Sequence, residues 1–304
     1  MGHHHDHSHG HGHHHTDNMR ALFYSFIIIS SFMIVEAIGG YLTNSLALLS
    51  DAGHMLSDAF ALGLSLLAFK IGERQATNNK TFGYRRFEII AAFINGITLI
   101  LISLFIFYEA FTRFQDPPEV SGTMMIIAII GLLVNLLVAF LLMKGGSTEN
   151  LNIRSALVHV LGDLLGSVGA IVAGVLIILF NWNIADPIAS VIVAILIIFS
   201  GIRITKDSIH ILMEGKPDNI SISKIKDTLN DLSGVEDVHH IHVWSITSEF
   251  PAMSCHIVVD DTVDRDEVLL VATEKLKNSF NISHSTIQIE GVQVVHGNDC
   301  DDCS

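Results

Sequence analysis

The chain has 304 residues, 50% of them hydrophobic and only 16% charged, with a mean hydropathy of +0.49. That balance excludes an ordinary soluble globular protein and points to an integral membrane protein. The formal net charge is −14, and an acidic chain of this kind argues against a nucleic-acid partner.

The chain opens with MGHHHDHSHGHGHHH, which holds nine of the 18 histidines. Residues 1–18 are expected to form a disordered tail that raises the local metal concentration without making a fixed site. An expression tag is the competing reading, and the interruptions by Asp, Ser and Gly speak against it. Six apolar runs follow, at 21–42, 46–70, 88–111, 123–143, 155–180 and 184–205. Each is near or above the ~20 residues a bilayer requires, so residues 19–208 are expected to be a domain of six transmembrane helices. No cleavable signal peptide is expected, because the first apolar run is too long for one. Lys70, Arg74, Lys80, Arg85, Arg86, Lys144, Arg154, Arg203 and Lys206 fall on one side of these crossings and Arg113 on the other. By the positive-inside rule both termini are cytoplasmic.

Two of the runs carry the same arrangement. His54 and Asp58 are four residues apart in the second, His159 and Asp163 four apart in the fifth. A helix of 3.6 residues per turn stacks each pair on one face, so two facing helices would present two imidazoles and two carboxylates to one point. Ionisable residues at membrane depth are costly and read as a functional site. The mixed N/O set suits tetrahedral Zn²⁺, whose charge two carboxylates cancel. A single His–Asp pair could equally tie helices together; two matched pairs favour the metal. Glu36 and Asp51 are further intramembrane carboxylates, open to both helix packing and ion passage. Gly162, Gly166, Gly169 and Gly174 allow a neighbour to approach the fifth run closely.

Residues 209–304 are expected to form a small cytoplasmic α/β domain. Residues 207–304 carry 18 acidic and 6 basic side chains, which locates the chain's acidity. Stretches 221–233 and 264–280 have helical periodicity, and 235–247, 252–260 and 285–295 are β-branched runs, giving the order helix, strand, strand, helix, strand. His239, His240, His256, His284 and Glu290 are candidate ligands of a second, cytoplasmic zinc site, with a surface histidine cluster that holds no metal as the competing reading. Because strand side chains alternate, His239 is not expected on the face that His240 and His242 share. Cys300 and Cys303 form a Cys-x-x-Cys pair that in a reducing compartment suggests a metal or redox role rather than a structural disulfide. Cys255 reads as a packed core thiol.

These residues also resemble a family. Residues 44–58 (NSLALLSDAGHMLSD), Thr81 to Arg86 (TFGYRR), His159 with Asp163, Asp186-Pro187 and His242-Val-Trp244 resemble the cation diffusion facilitator family, particularly its bacterial cadmium, cobalt and zinc resistance members. The resemblance covers nearly the whole chain. It implies a homodimer of six-helix protomers with a metallochaperone-like cytoplasmic domain, and exchange of cytoplasmic Zn²⁺ for protons by alternating access, with Cd²⁺ and Co²⁺ as further substrates. It places the transport site on His54, Asp58, His159 and Asp163, and the cytoplasmic ligands among His239 or His240, His256, His284 and Glu290. Gln288 stands where one bacterial ligand would be His, and the stretch from Thr77 to Tyr84 departs from relatives that hold a further zinc in this loop. The resemblance further suggests that Arg86 pairs with Asp207.

Metal and protons compete for neutral His and ionised Asp, so such a site can work as an antiporter without any organic cofactor. A membrane-bound zinc sensor that never transports is the alternative. An intramembrane metalloenzyme is a weaker rival, since there is no His-Glu-x-x-His and four candidate ligands leave no open position. Short loops and the lack of organelle signals fit a bacterial plasma membrane, with an animal organelle membrane as the alternative.

Overall fold

The computed structural model describes residues 12–43, 46–115, 122–145, 150–180, 182 and 184–293; the side chains of Glu36, Asp51 and His54 lie outside the described residues. The chain divides into two compact units, residues 1–208 and 209–304.

The first unit is built from long helices: α1 (Gly12–Thr43), α2 (Leu46–Gly72), α3 (Phe87–Gln115), α4 (Gly122–Gly145), α5 (Leu151–Phe180) and α6 (Ala185–Leu212), the last running into the second unit. Phe87–Thr112, Leu151–Phe180 and Pro187–Leu212 are long and apolar enough to cross a membrane, and Met19–Val35 and Ile129–Lys144 are shorter apolar stretches. Phe105, Phe111, Leu133, Phe140, Leu179 and Phe199 are all more than half exposed. Outward apolar faces of this extent suit a lipid surround.

The helix α1 begins nine residues before the first apolar run, so residues 12–18 are helical rather than part of a disordered tail. Once the apolar run has nucleated a helix, each further residue adds one hydrogen bond at little cost, which lets the helix extend into polar sequence.

Leu22 and Ile29 of α1, Met55, Leu62 and Phe69 of α2, Val138 and Leu142 of α4, and Ile153 and Val160 of α5 share one apolar core. Four helices thus pack through side chains of low polarity. The third helix joins α6 differently, backbone against backbone. A Cβ added at Gly96 would lie 2.6 Å from Thr205 Oγ1, and one at Gly201 3.1 Å from the carbonyl oxygen of Gly96. Small residues permit that approach. The glycines of α5 serve α6 too: a Cβ at Gly162 would lie 3.1 Å from Ile197 and one at Gly169 3.5 Å from Ala189, while Gly166 faces open space. Gly162 and Gly169 thus face α6, and the surroundings of Gly174 lie outside the described residues. Within the protomer Asp207 pairs with Arg154 at 3.0 Å.

The second unit contains α7 (Ile222–Asn230), β1 (Val235–Thr247), β2 (Phe250–Val259), α8 (Arg265–Phe280) and β3 (His284–Gly291). The sheet order is β1-β2-β3, with β1 antiparallel and β3 parallel to β2. A parallel return needs a crossover, and α8 supplies it. Asp264 caps α8, accepting from the Asp266 amide at 2.9 Å, and Asn281 ends it in the left-handed region at φ 55°. Met253, Cys255, Ile257 and Val259 alternate along β2 and point to a core shared with Ile225, Leu229, Val268 and Leu276. Cys255 is 1% exposed, and burial pushes its thiol up to about 11.

Candidate metal centres

The first centre lies between α2 and α5. One turn of helix separates Asp58 from His54, and another separates His159 from Asp163, so both helices carry their pair on one side. His159 Nε2 is 2.7 Å from Asp58 Oδ1. Asp58 and His159 are buried and Asp163 half-buried. One ligand atom each from Asp58, His159 and Asp163 lies within 4.8 Å of the others. The structure therefore brings three of the four candidates together; the fourth, His54, sits on the same helix as Asp58 with its side chain outside the described residues.

A tetrahedral Zn²⁺ bound at ~2.0–2.1 Å to one nitrogen and one oxygen would set those atoms about 3.3 Å apart. The His159–Asp58 pair at 2.7 Å is closer than that. The observed distance is that of a hydrogen bond, and a metal between the two atoms would require them to part by roughly half an ångström. A proton and a metal are thus mutually exclusive between them.

The second centre lies on the sheet of the C-terminal unit. His239 of β1 and His256 of β2 are direct partners in the register. His240 joins them, and ligand atoms of the three lie within 4.8 Å of one another. Ring centroids are 5.0, 5.3 and 5.1 Å apart for His239–His240, His239–His256 and His240–His256. This corrects the expectation that alternation parts His239 from His240. The register between β1 and β2 shifts between His239 and His242, and His240 has φ 48°. A bulge there inserts one residue and re-aims the side chain, so neighbours in sequence share a side. The burial agrees: Val238 and Val243 both face the core, and their odd separation is incompatible with an unbroken two-residue period.

Glu290, on β3 and 3% exposed, adjoins two of the three from the third strand. Its Oε1 lies 2.8 Å from His256 Nδ1 and its Oε2 3.8 Å from His239 Nε2. Two residues support these: Gln288 donates from Nε2 to Glu290 Oε1 at 2.8 Å, and Asp237, not foreseen, has its Oδ2 3.5 Å from His239 Nδ1. A carboxylate on the far ring nitrogen is the usual way to orient a metal-binding imidazole. The spacing held the clue, since residues two apart on a strand share a face. His284 stands elsewhere. It pairs with Ala252 and its ring lies 6.0 Å from Phe250, four register steps from the pairing of His256 with Gln288. At ~3.3 Å per residue that is about 13 Å, too far to join the cluster within one protomer.

In the loop from Thr77 to Tyr84, backbone bonds close Thr77 on Lys80 at 3.0 and 3.1 Å, and Lys80 Nζ lies 5.0 Å from the Tyr84 ring. Cys300, Cys303 and the histidines of residues 1–11 lie outside the described residues.

Residues 22–213 match the family described as the cation efflux transmembrane domain, and residues 217–292 match the cation efflux protein cytoplasmic domain. The chain is 56% identical over 302 residues to the cadmium, cobalt and zinc/H(+)-K(+) antiporter of Bacillus subtilis (strain 168), covering 98% of this chain and 94% of that one. It is 45% identical over 286 residues to the zinc transporter ZitB of Escherichia coli (strain K12), covering 93% and 91%. The metal cation efflux system protein CzcD of Cupriavidus metallidurans is 36% identical over 275 residues, covering 90% and 87%. These relatives are named as transporters, which leaves the sensor reading without support and points away from an enzyme. With both domains matched along most of its length, the chain belongs to the cation efflux (cation diffusion facilitator) family.

Proposed function

We propose that this protein exports Zn²⁺ from the cytoplasm in exchange for protons, with Cd²⁺ and Co²⁺ as further substrates, through the site formed by His54, Asp58, His159 and Asp163. The observation that carries the reading is the buried meeting of Asp58 and His159 at 2.7 Å across α2 and α5. Zinc binds neutral imidazole and ionised carboxylate, so loading expels the proton that bridges the pair, and reprotonation expels zinc. If the site opens alternately to the two sides, a proton gradient then drives zinc outwards. The similarity to named zinc transporters supports the choice of metal, and the two carboxylates match the charge of one divalent ion.

The protein works as a homodimer in a bacterial plasma membrane with both termini in the cytoplasm, as the distribution of Lys and Arg suggests. The cytoplasmic centre of His239, His240, His256 and Glu290 binds a zinc ion that reports cytoplasmic supply. Cys300, Cys303 and the His-rich tail gather metal. The name of the Bacillus relative includes potassium as well as protons, which favours a second reading in which K⁺ shares the inward leg. Growth of a zinc-sensitive bacterium carrying this gene tests the function. Zinc tolerance that is conferred by the wild type and lost with Asp163→Ala supports it; equal tolerance from both contradicts it.

A further inference from the structure

Resting on the transport-site reading above, we infer that Asn95 is a positioning residue: it pins the two ligand-bearing helices to each other and so sets the separation of Asp58 and His159. Asn95 lies in α3, which contributes no ligand. It is nevertheless 4% exposed, and its amide nitrogen donates to two hydroxyls, Ser65 Oγ on α2 at 3.2 Å and Ser155 Oγ on α5 at 3.4 Å. Both serines are fully buried. Each amide hydrogen therefore goes to a different ligand-bearing helix.

The two bonds belong to a closed ring. Ser155 Oγ donates to the carbonyl oxygen of Asn152 at 2.9 Å, and Asn152 Nδ2 donates to the carbonyl oxygen of Ser65 at 3.0 Å. Starting from Asn95, the path runs through Ser155, Asn152 and Ser65 and returns. The ring is anchored at the start of α5, where Asn150 Oδ1 accepts from the amides of Asn152 and Ile153 at 3.0 and 3.3 Å while its Nδ2 donates to Glu88 of α3 at 3.0 Å. A buried polar network of this kind holds one arrangement because breaking any member strands its neighbours in a medium without water.

Its place relative to the metal site gives it a role. Ser155 precedes His159 by four residues, one turn of α5, and Ser65 follows Asp58 by seven, two turns of α2. Both steps lead toward the same end of the two helices. The apolar core of α1, α2, α4 and α5 resists separation, but apolar contacts tolerate small slides that directed hydrogen bonds do not. Metal coordination needs distances within about 0.2 Å, so a slide of one helix against the other would be felt at the ligands before it was felt in the fold.

The test uses full-length purified protein, zinc titration at equilibrium, and zinc flux in proteoliposomes, with thermal unfolding as a control. Asn95→Ala is expected to weaken zinc affinity at the membrane site and raise KM by about five- to tenfold, the effect of two interhelical hydrogen bonds, while the maximal rate changes less. Ser155→Ala should give part of the same shift, and the double variant less than the sum of the two single shifts, because the two residues share one bond. A purely structural role would lower the melting temperature and the yield while affinity and KM of the surviving protein stay unchanged, and that result overturns the inference, as does additivity of the two variants. If Asn95→Ala does not fold, Ser65→Ala and Ser155→Ala carry the same comparison. Absence of wild-type flux would contradict the transport reading; a wild type that transports with an unaffected Asn95→Ala would contradict only the role of Asn95.

Discussion

The ring nitrogen Nε2 of His159 on α5 lies 2.7 Å from the carboxylate Oδ1 of Asp58 on α2. A proton shared at this distance and a tetrahedral metal that needs about 3.3 Å between the same atoms are alternatives. Zinc affinity of the membrane site should therefore fall as pH is lowered from about 8 to about 6, by up to tenfold per pH unit for each proton displaced. Titration of the protein with zinc at several pH values measures this. Affinity independent of pH would contradict proton competition.

His54→Asp should widen selectivity toward harder cations. Carboxylate oxygen suits Mn²⁺ better than imidazole does, so manganese should gain relative to zinc in a competition flux assay. An unchanged Zn²⁺/Mn²⁺ ratio would count against His54 as a ligand.

At the second centre the decisive position is His240, held at φ 48° in the bulge of β1. Valine there adds a β-branched side chain to a left-handed backbone and should cost about 1–3 kcal/mol. Glycine relieves that strain but removes the imidazole. Calorimetric unfolding and zinc stoichiometry separate the two effects: His240→Val should lose stability and zinc, His240→Gly zinc alone. Full zinc occupancy with glycine would remove His240 from the ligand set.

Cys255 should resist alkylation at neutral pH in the native protein and react once unfolded, because it is buried and its thiol is raised from 9.0 to about 11. A Cys300→Ser, Cys303→Ser background isolates its signal. The sign of the pH effect follows: the unfolded thiol ionises first, so the contribution to stability is intact below pH 9 and lost as pH rises towards 11. Rapid labelling of the folded protein near pH 7 would contradict the packing.

Much of this architecture was legible in the chain, and the exceptions have local causes. Apolar length alone marks α3, α5 and α6 as long enough to cross a membrane, and the four-residue spacing puts His159 and Asp163 on one side of α5. The three-strand unit was readable because β2 alternates cleanly through Met253, Cys255, Ile257 and Val259. The bulge at His240 defeated the face assignment, since a period of two cannot register an inserted residue. The exclusion of His284 depends on the register of β3 against β2, which no single strand encodes. The pairing of Asp207 with Arg154 within the protomer, and the ring closed by Asn95, arise from helices that meet only in the folded unit.

Zinc flux into proteoliposomes containing a zinc-sensitive dye, with and without an imposed pH gradient, compares the wild type with Asp163→Ala and tests the central claim most directly. Flux that rises with the proton gradient in the wild type and falls at least about tenfold in Asp163→Ala, with both proteins folded, is the predicted result, since losing a direct ligand should cost no less than losing a residue that merely orients one. Flux indifferent to the gradient, or retained in Asp163→Ala, would contradict proton-coupled transport through this site.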